Sequence, residues 1–349
     1  MAYTWSWSWG SESAALLESD MGFEFSNTLV TTFEPRTDEQ YKPTGAPTKY
    51  SMACDLNDSI QLPLSVTNGM DQGVVSVAVK NTGDASYFAY APITVLGVSG
   101  RETYILFSAT GAIKLYVDET FKATSAVSYD WTEWRFLALH FDMSADPWKG
   151  RVTVDGVEAI SEFTDPRAAD TVGAVRFNSP VNEDRVWYNG QIIVQDAYAD
   201  AAPPRFVTRI SPDADVSTVA TVGAWVPTSG SNFASTGVDP FDAATNTAEA
   251  TPTIGDEVIT GYTGDLTAKL GIVPGSIDLV TVHSYSTGLN NTARAEVGDQ
   301  AGATTTVGAT TLLTSDTTYA YASAPVAPGD SAAWEGTDTP KAKYEVVSV

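Results

Sequence analysis

Cysteine, histidine and positive charge are scarce in this chain of 349 residues: one Cys, two His, and 19 Lys and Arg against 43 Asp and Glu. A single cysteine, Cys54, excludes an intrachain disulfide, and its place behind Tyr50, Met52 and Ala53 is that of a small buried hydrophobe. A nucleophilic thiol needs a nearby imidazole, and a zinc site needs several His and Cys together; His140 and His283 are remote in sequence from Cys54 and from each other. No apolar run approaches the roughly eighteen residues of a membrane helix, so no such span is expected. Met-Ala-Tyr-Thr-Trp at the start has neither the basic nor the apolar region of a secretory leader. With no leader and no disulfide, a reducing cytoplasm is the expected site of folding. The phosphate-cradling loops G-x-x-x-x-G-K-S/T and G-x-G-x-x-G and the nucleophile elbow G-x-S-x-G are also missing.

The deficit of basic residues leaves a formal net charge of −24. Such a surface repels phosphate backbones and anionic lipid, which excludes nucleic acid and membranes as partners. It favours solubility, above all at high salt, and it suits divalent cations or basic surfaces.

What is present is the material of a β protein. Hydrophobic residues make up 43% and aromatics 11%, while charged residues, at 18%, fall below the usual quarter. That balance builds a core and excludes disorder. Tyr3, Trp5, Trp7 and Trp9 alternate with Thr4, Ser6 and Ser8, a period of two that reads as a strand with an aromatic face. The face could stack sugars, although such a stripe more often packs on a sheet or a neighbouring subunit. Residues 11–20 read as a short helix capped by Ser11 or Ser13. Strands then recur about every ten residues: Val74–Val79, Tyr87–Val98 interrupted by Pro92, Tyr104–Phe107, Ile113–Val117, Trp134–Phe141, Arg151–Val154, Ala174–Phe177 and Val186–Val194. Gly, Asp, Asn and Pro lie between them. The spacing predicts a sandwich or barrel, and no helical pattern is long enough for parallel crossovers. Asp200-Ala201-Ala202-Pro203-Pro204 breaks the pattern. The predicted organisation is therefore a β-sandwich over 1–200, a proline-rich linker over 201–205, and a smaller β-sandwich domain over 206–349 with a long loop near 227–255.

The run from Trp131 to Asp142, followed by Gly150 to Val157 with its Val154-Asp155-Gly156, resembles the central hairpin of the concanavalin A-like (laminin-G-like, pentraxin-like) jelly roll. Asp-Gly supplies the positive φ that a tight hairpin needs. Val186 to Asp196 resembles that fold's closing strand, which returns beside the first. After the sandwich come Phe206 to Asp215, then Ala332-Ala333-Trp334 and a terminal Glu345-Val346-Val347 strand. This order resembles virion structural proteins of tailed bacteriophages, in which a lectin-like sandwich precedes a small β domain. The resemblance implies a capsid-decoration, head-fibre or tail-appendage protein, assembled in the host cytoplasm and located in the virion. Its partners would be other capsid or tail proteins, copies of itself in a symmetric homo-oligomer (a trimer above other states), and a host surface glycan.

An enzyme of this superfamily, a retaining glucanase, would carry E-x-D-x-E or E-x-D-x-x-E on one strand, since its two carboxyls must lie about 5 Å apart. The nearest match runs from Glu18 through Asp20 to Glu24; it is too long, contains Gly22 and ends a predicted helix, so it reads as a turn. Asp130 and Glu133 flank Trp131 without forming a pair. His140, between Leu139 and Phe141, and His283, within Thr281–Tyr285, both read as strand residues with structural roles. The expectation is a protein without catalytic residues. Calcium is an open possibility, because Asp142, Asp146, Asp155 and Asp184 all sit near predicted turns, although Asp is also the commonest turn residue for other reasons. For sugar stacking the candidates are Trp131 and Trp148, with Trp148 in the loop Asp146-Pro147-Trp148-Lys149-Gly150 the better placed; Trp134 and Trp187 belong to apolar strands.

Overall fold

The computed structural model describes residues 3–7, 23–26, 52–54, 59–67, 69–81, 92–108, 110–178 and 187–198, and in the second half 207, 214–215, 225–227, 248–250, 257–261, 267, 277–285, 292–298, 310–313, 319–324, 327, 331–335, 337–338 and 340–348. The chain is all-β. It divides into two compact units, one of Met1–Lys42 with Thr48–Val207, the other of Pro43–Pro47 with Thr208–Val349. The predicted helix over 11–20 and the linker over 201–205 lie outside the described residues. No helix among the described residues is long and apolar enough to cross a membrane.

The first unit contains β1 (Tyr3–Trp7), β2 (Glu24–Ser26), β3 (Met52–Cys54), β4 (Ser59–Gln61), a four-residue helix α1 (Leu64–Thr67), β5 (Gln72–Asn81), β6 (Thr94–Gly97), β7 (Glu102–Phe107), β8 (Ala112–Val117), β9 (Thr120–Ser128), β10 (Arg135–Asp142), β11 (Trp148–Val154), β12 (Val157–Asp165), β13 (Val172–Asn178) and β14 (Trp187–Gln195). They form two antiparallel seven-stranded sheets. The first, sheet A, runs β1-β14-β5-β10-β11-β12, with β3 also on β14; the second, sheet B, runs β2-β4-β13-β6-β7-β8-β9. The closing strand does return beside the first, Trp5 opposite Val194 and Trp7 opposite Ile192.

Alternation sorts the residues onto faces. In sheet A, Leu137 and Leu139 stand opposite Val77 and Val75 on one side and Val154 and Val152 on the other, all buried. In sheet B, Ile105 faces Leu115 and Phe107 faces Ile113, again buried. The N-terminal aromatics join this core: Trp5 and Trp7 stack with centroids 5.9 Å apart, and Phe23 packs 5.4 Å from Trp7. Of the two fates open to that stripe, packing is the one adopted by Trp5 and Trp7.

Two hairpins turn on two residues each. Asp155 and Gly156, φ 51° and 79°, join β11 to β12, as the Val-Asp-Gly signal requires. Asp118 and Glu119, φ 44° and 61°, join β8 to β9 with the same geometry and no glycine. Gly111 closes the β7–β8 loop at φ 82°, where a Cβ would lie 2.4 Å from the Tyr129 carbonyl oxygen. Where the two sheets meet at β9 and β12, a charge network ties them. Lys122 Nζ lies 2.6 Å from the buried Asp165 Oδ2, Arg167 Nε lies 3.2 Å from the same oxygen, and Arg167 also pairs with Asp118. Burial opposes ionisation of Asp165, but the Lys122 and Arg167 bonds outweigh it and hold the carboxyl below its ordinary value.

In the second unit β15 (Ala214–Asp215), β18 (Glu257–Gly261), β23 (Lys341–Ser348), β20 (Thr292–Gly298) and β21 (Thr310–Leu313) form one sheet in that order; β16 (Trp225–Pro227) pairs β17 (Ala248–Ala250), and β19 (Val280–Tyr285) pairs β22 (Tyr319–Ala324). Val297, Ala322, Ala324, Ala327 and Trp334 make its core, and Trp334 Nε1 donates to the Ala324 carbonyl at 2.9 Å. The stretch expected to be one long loop, 227–255, contains β17. Ala-Glu-Ala lacks the β-branched residues that mark a strand, and the ladder with β16 forms it regardless.

Glu119→Gly removes the left-handed strain of a side chain at positive φ, about 1–2 kcal/mol less the extra freedom of glycine in the unfolded chain, so urea unfolding is expected to show a net gain of about 0.5–1 kcal/mol. The depressed Asp165 carboxyl contributes stability that is complete above the unfolded value near 3.9 and is lost as pH falls through its folded value. Asp165→Asn is therefore expected to be less stable than wild type at neutral pH, with the gap narrowing as pH falls below the ordinary carboxylate range in unfolding titrations; a gap that stays constant with pH sinks the assignment.

Candidate functional site

The structure does not place the predicted tryptophans at the surface. Trp148 opens β11 on the core side and is 1% exposed, with Nε1 donating to the Ala168 carbonyl at 2.8 Å. Trp131 is 0% exposed; it stacks on Phe107 at 4.0 Å and donates to the Gly111 carbonyl at 2.9 Å. Neither offers a ring face to a ligand. The loop signal around Asp146-Pro147 was real, but the strand begins at Trp148, and its pairing with Asp165 turns the indole inward.

Nor are the predicted calcium ligands brought together. Asp142 Oδ1 accepts from Ser144 N and Oγ at 3.1 and 2.6 Å, a self-contained turn. Asp155 accepts from Phe136 N and pairs with Arg135, both at 2.9 Å. Asp146 is exposed in the β10–β11 loop. Asp142 and Asp146 lie at one end of β11 and Asp155 at the other, roughly 20 Å away at strand rise. Asp184 lies outside the described residues. Among the described residues no group of three or more His, Cys, Asp and Glu is arranged to hold a metal ion.

The two sheets also have outward faces. On sheet A, register sets Gln195, Val74, His140 and Arg151 in one row across β14, β5, β10 and β11. All four are buried. Arg151 Nη2 lies 3.3 Å from His140 Nδ1, and His140 Nε2 lies 3.3 Å from Thr153 Oγ1. If the guanidinium donates to Nδ1, the imidazole carries its proton on Nε2. Tyr198 lies over this pair, 5.3 Å from the Arg151 guanidinium and 6.2 Å edge-on from His140. Burial first, then the Glu162 carboxylate, pushes the Tyr198 phenol well above its ordinary value. Val207 N donates to Gln191 Oε1 at 2.8 Å. Tyr198 and Val207, both beyond the end of β14, thus lie against this face.

Sheet B presents a different row. Glu24, Gln61, Arg176, Thr94, Tyr104, Tyr116 and Phe121 are successive cross-strand partners through all seven strands, on the face opposite Ile60, Val175, Val95, Ile105 and Leu115. At strand spacing the row is about 29 Å long. Its aromatic end is a ladder: Tyr104 and Tyr116 lie parallel, centroids 5.3 Å apart at 2°, and Phe121 meets Tyr116 at 5.7 Å and 68°. Phe121 is 51% exposed. Its polar end is a hydrogen-bonded chain: Arg176 Nε donates to Gln61 Oε1 at 2.8 Å, and Gln61 Nε2 donates to Glu24 Oε2 at 2.7 Å. Burial, followed by the charges of Glu119, Glu102 and Asp118 and by Tyr116, raises the Tyr104 phenol. Sequence reasoning placed Tyr104 and Tyr116 on strands and missed the row, because alternation gives the face of a residue and not its neighbour on the next strand.

No protein-family model and no curated protein matches the chain. Among solved structures, a Bacillus subtilis protein of unknown function with a galectin-like fold is 9% identical over 58% of this chain and 98% of that one, with a TM-score of 0.38. The CBM40 of the Ruminococcus gnavus IT-sialidase, bound to α2,3-sialyllactose, is 14% identical over 38% and 78%, TM-score 0.27. The Trypanosoma rangeli sialidase in complex with the inhibitor DANA is 10% identical over 45% of this chain, TM-score 0.36; the chain spans 27% of that sialidase's length.

Proposed function

We propose that the sandwich is a carbohydrate-binding module whose ligand lies on the outward face of sheet B, and that the chain is a structural protein of a tailed-bacteriophage virion carrying that face outward. The observation that supports the binding reading is the Glu24-to-Phe121 row, where an aromatic surface and a pre-ordered set of polar groups share one face. Aromatic rings supply apolar area for the C–H side of a sugar, and a few placed amide, guanidinium and phenol groups supply orientation through hydroxyls. The cross-strand aromatic contacts also steady the sheet by about 0.2–1 kcal/mol each, but a half-exposed Phe121 goes beyond what the sheet needs. Among the described residues the carboxylates of Asp118, Asp130, Asp142, Asp155, Asp165 and Asp170 are engaged in turns, backbone bonds or ion pairs, which favours a binding or structural role over proton transfer for these six. What supports the virion reading is a resemblance of domain order and short phrases, a lectin-like sandwich ahead of a small β domain, to phage structural proteins.

Phe121→Ala and Tyr116→Ala are expected to weaken glycan binding by about tenfold or more each on a glycan array and in titration, with the unfolding midpoint of Phe121→Ala close to wild type and that of Tyr116→Ala modestly lowered; unaltered binding by both rejects this face as the site. Immunogold electron microscopy of purified particles is expected to label the virion, and unlabelled particles beside a free pool of the protein would rule the virion assignment out.

A further inference from the structure

We infer that the ligand of this face is a neutral, extended glycan chain laid across the strands; the inference rests on the reading of the face as a carbohydrate-binding surface. Three observations carry it. The first is shape. The groups form a single line perpendicular to the strands, about 29 Å long, each on a different strand, with Thr94 at its middle buried between the polar and the aromatic ends. A terminal sugar ring engages only a fraction of such a line, whereas a chain of several sugars engages both the aromatic end and the polar end.

The second is charge. Glu102, Asp118 and Glu119 lie around Tyr104, whose phenol is raised first by burial and then by these carboxylates. Among the described residues the cations on this face include Lys114, beside Tyr116 on β8 and outnumbered there by Glu102 and Glu119, and Arg176, bonded through Gln61 to the carboxylate of Glu24. With a net charge of −24 over the whole chain, a uronate, sialylated or phosphorylated glycan meets repulsion at the aromatic end and a cation already bridged to an acid at the other. The third is order. The Arg176–Gln61–Glu24 chain fixes three flexible side chains before any ligand arrives, so fewer rotamers are lost when hydroxyls replace water there.

The test is calorimetric titration of the full chain with neutral glucose, xylose, galactose and mannose oligomers of two and six residues, and with polygalacturonate and sialyllactose. At least one neutral series is expected to bind, the six-residue member about tenfold or more tighter than the two-residue member, with the anionic ligands silent. Arg176→Ala and Gln61→Ala are expected to lower affinity for the longer oligomer and leave the shorter one nearly unchanged; Phe121→Ala lowers both. Equal affinity for the two lengths, or tighter binding of an anionic ligand, with Phe121→Ala still weakening binding about tenfold or more, overturns this inference and leaves the binding face standing. Binding that ignores Phe121→Ala, or no binding in any series, overturns both.

Discussion

The antiparallel register around β5 is the constraint on which the sandwich depends. Val75 stands between Leu139 and Val194, and Val77 between Leu137 and Ile192, so the central strand has buried aliphatic partners on both sides. A slip of one residue would turn every one of these side chains to the opposite face and bring Ser76 and His140 into the core. Hydrophobic burial makes that slip prohibitive. With β5, β10 and β14 fixed, β1 is fixed by β14, and Trp5 and Trp7 can reach Phe23 only in that register.

Fixing one face of each sheet leaves the other free, and the two sheets spend that freedom differently. Sheet A covers its outward row with its own chain: Tyr198 closes over Arg151 and His140, which bond to each other and, through His140, to Thr153. Sheet B leaves part of its row in solvent, ending at Phe121. The contrast is chemical as well as geometric. A buried guanidinium beside an imidazole tolerates cover because each is bonded. An exposed phenyl next to two tyrosines has apolar area and nothing of its own to place there.

Much of this fold was legible in the residues. Alternation and short apolar runs located β5, β7, β8, β10, β11, β13 and β14; β7 and β8 bury one face in a strict period of two, whereas β5, β10 and β11 are apolar enough to be buried on both. The Asp155-Gly156 turn was legible from glycine, while its twin at Asp118-Glu119 was not, since nothing in those residues announces positive φ; there the Arg167 pair and the bond from Glu102 N hold Asp118 in place. The tryptophans misled for a related reason. Composition marks an indole near a loop as available, but whether it points in or out depends on the first residue of the strand, which Asp-Pro leaves undefined. The outward row of sheet B was the least legible feature. Arg176 and Gln61 are 115 residues apart in sequence, and only the order of strands in the sheet makes them neighbours.

The pairing of β1 with β14 sets Tyr3 opposite Gln195, so the sandwich's first strand starts where its last strand finishes. Tension applied to those two ends would open this pair like a zipper, one rung after another, the weakest geometry for a β ladder under load. The fold-back of Tyr198 onto Arg151 and of Val207 onto Gln191 changes where a pull from the C-terminal side enters. It must first detach those anchors from the middle of the sheet, and the zipper at the edge is shielded until they let go.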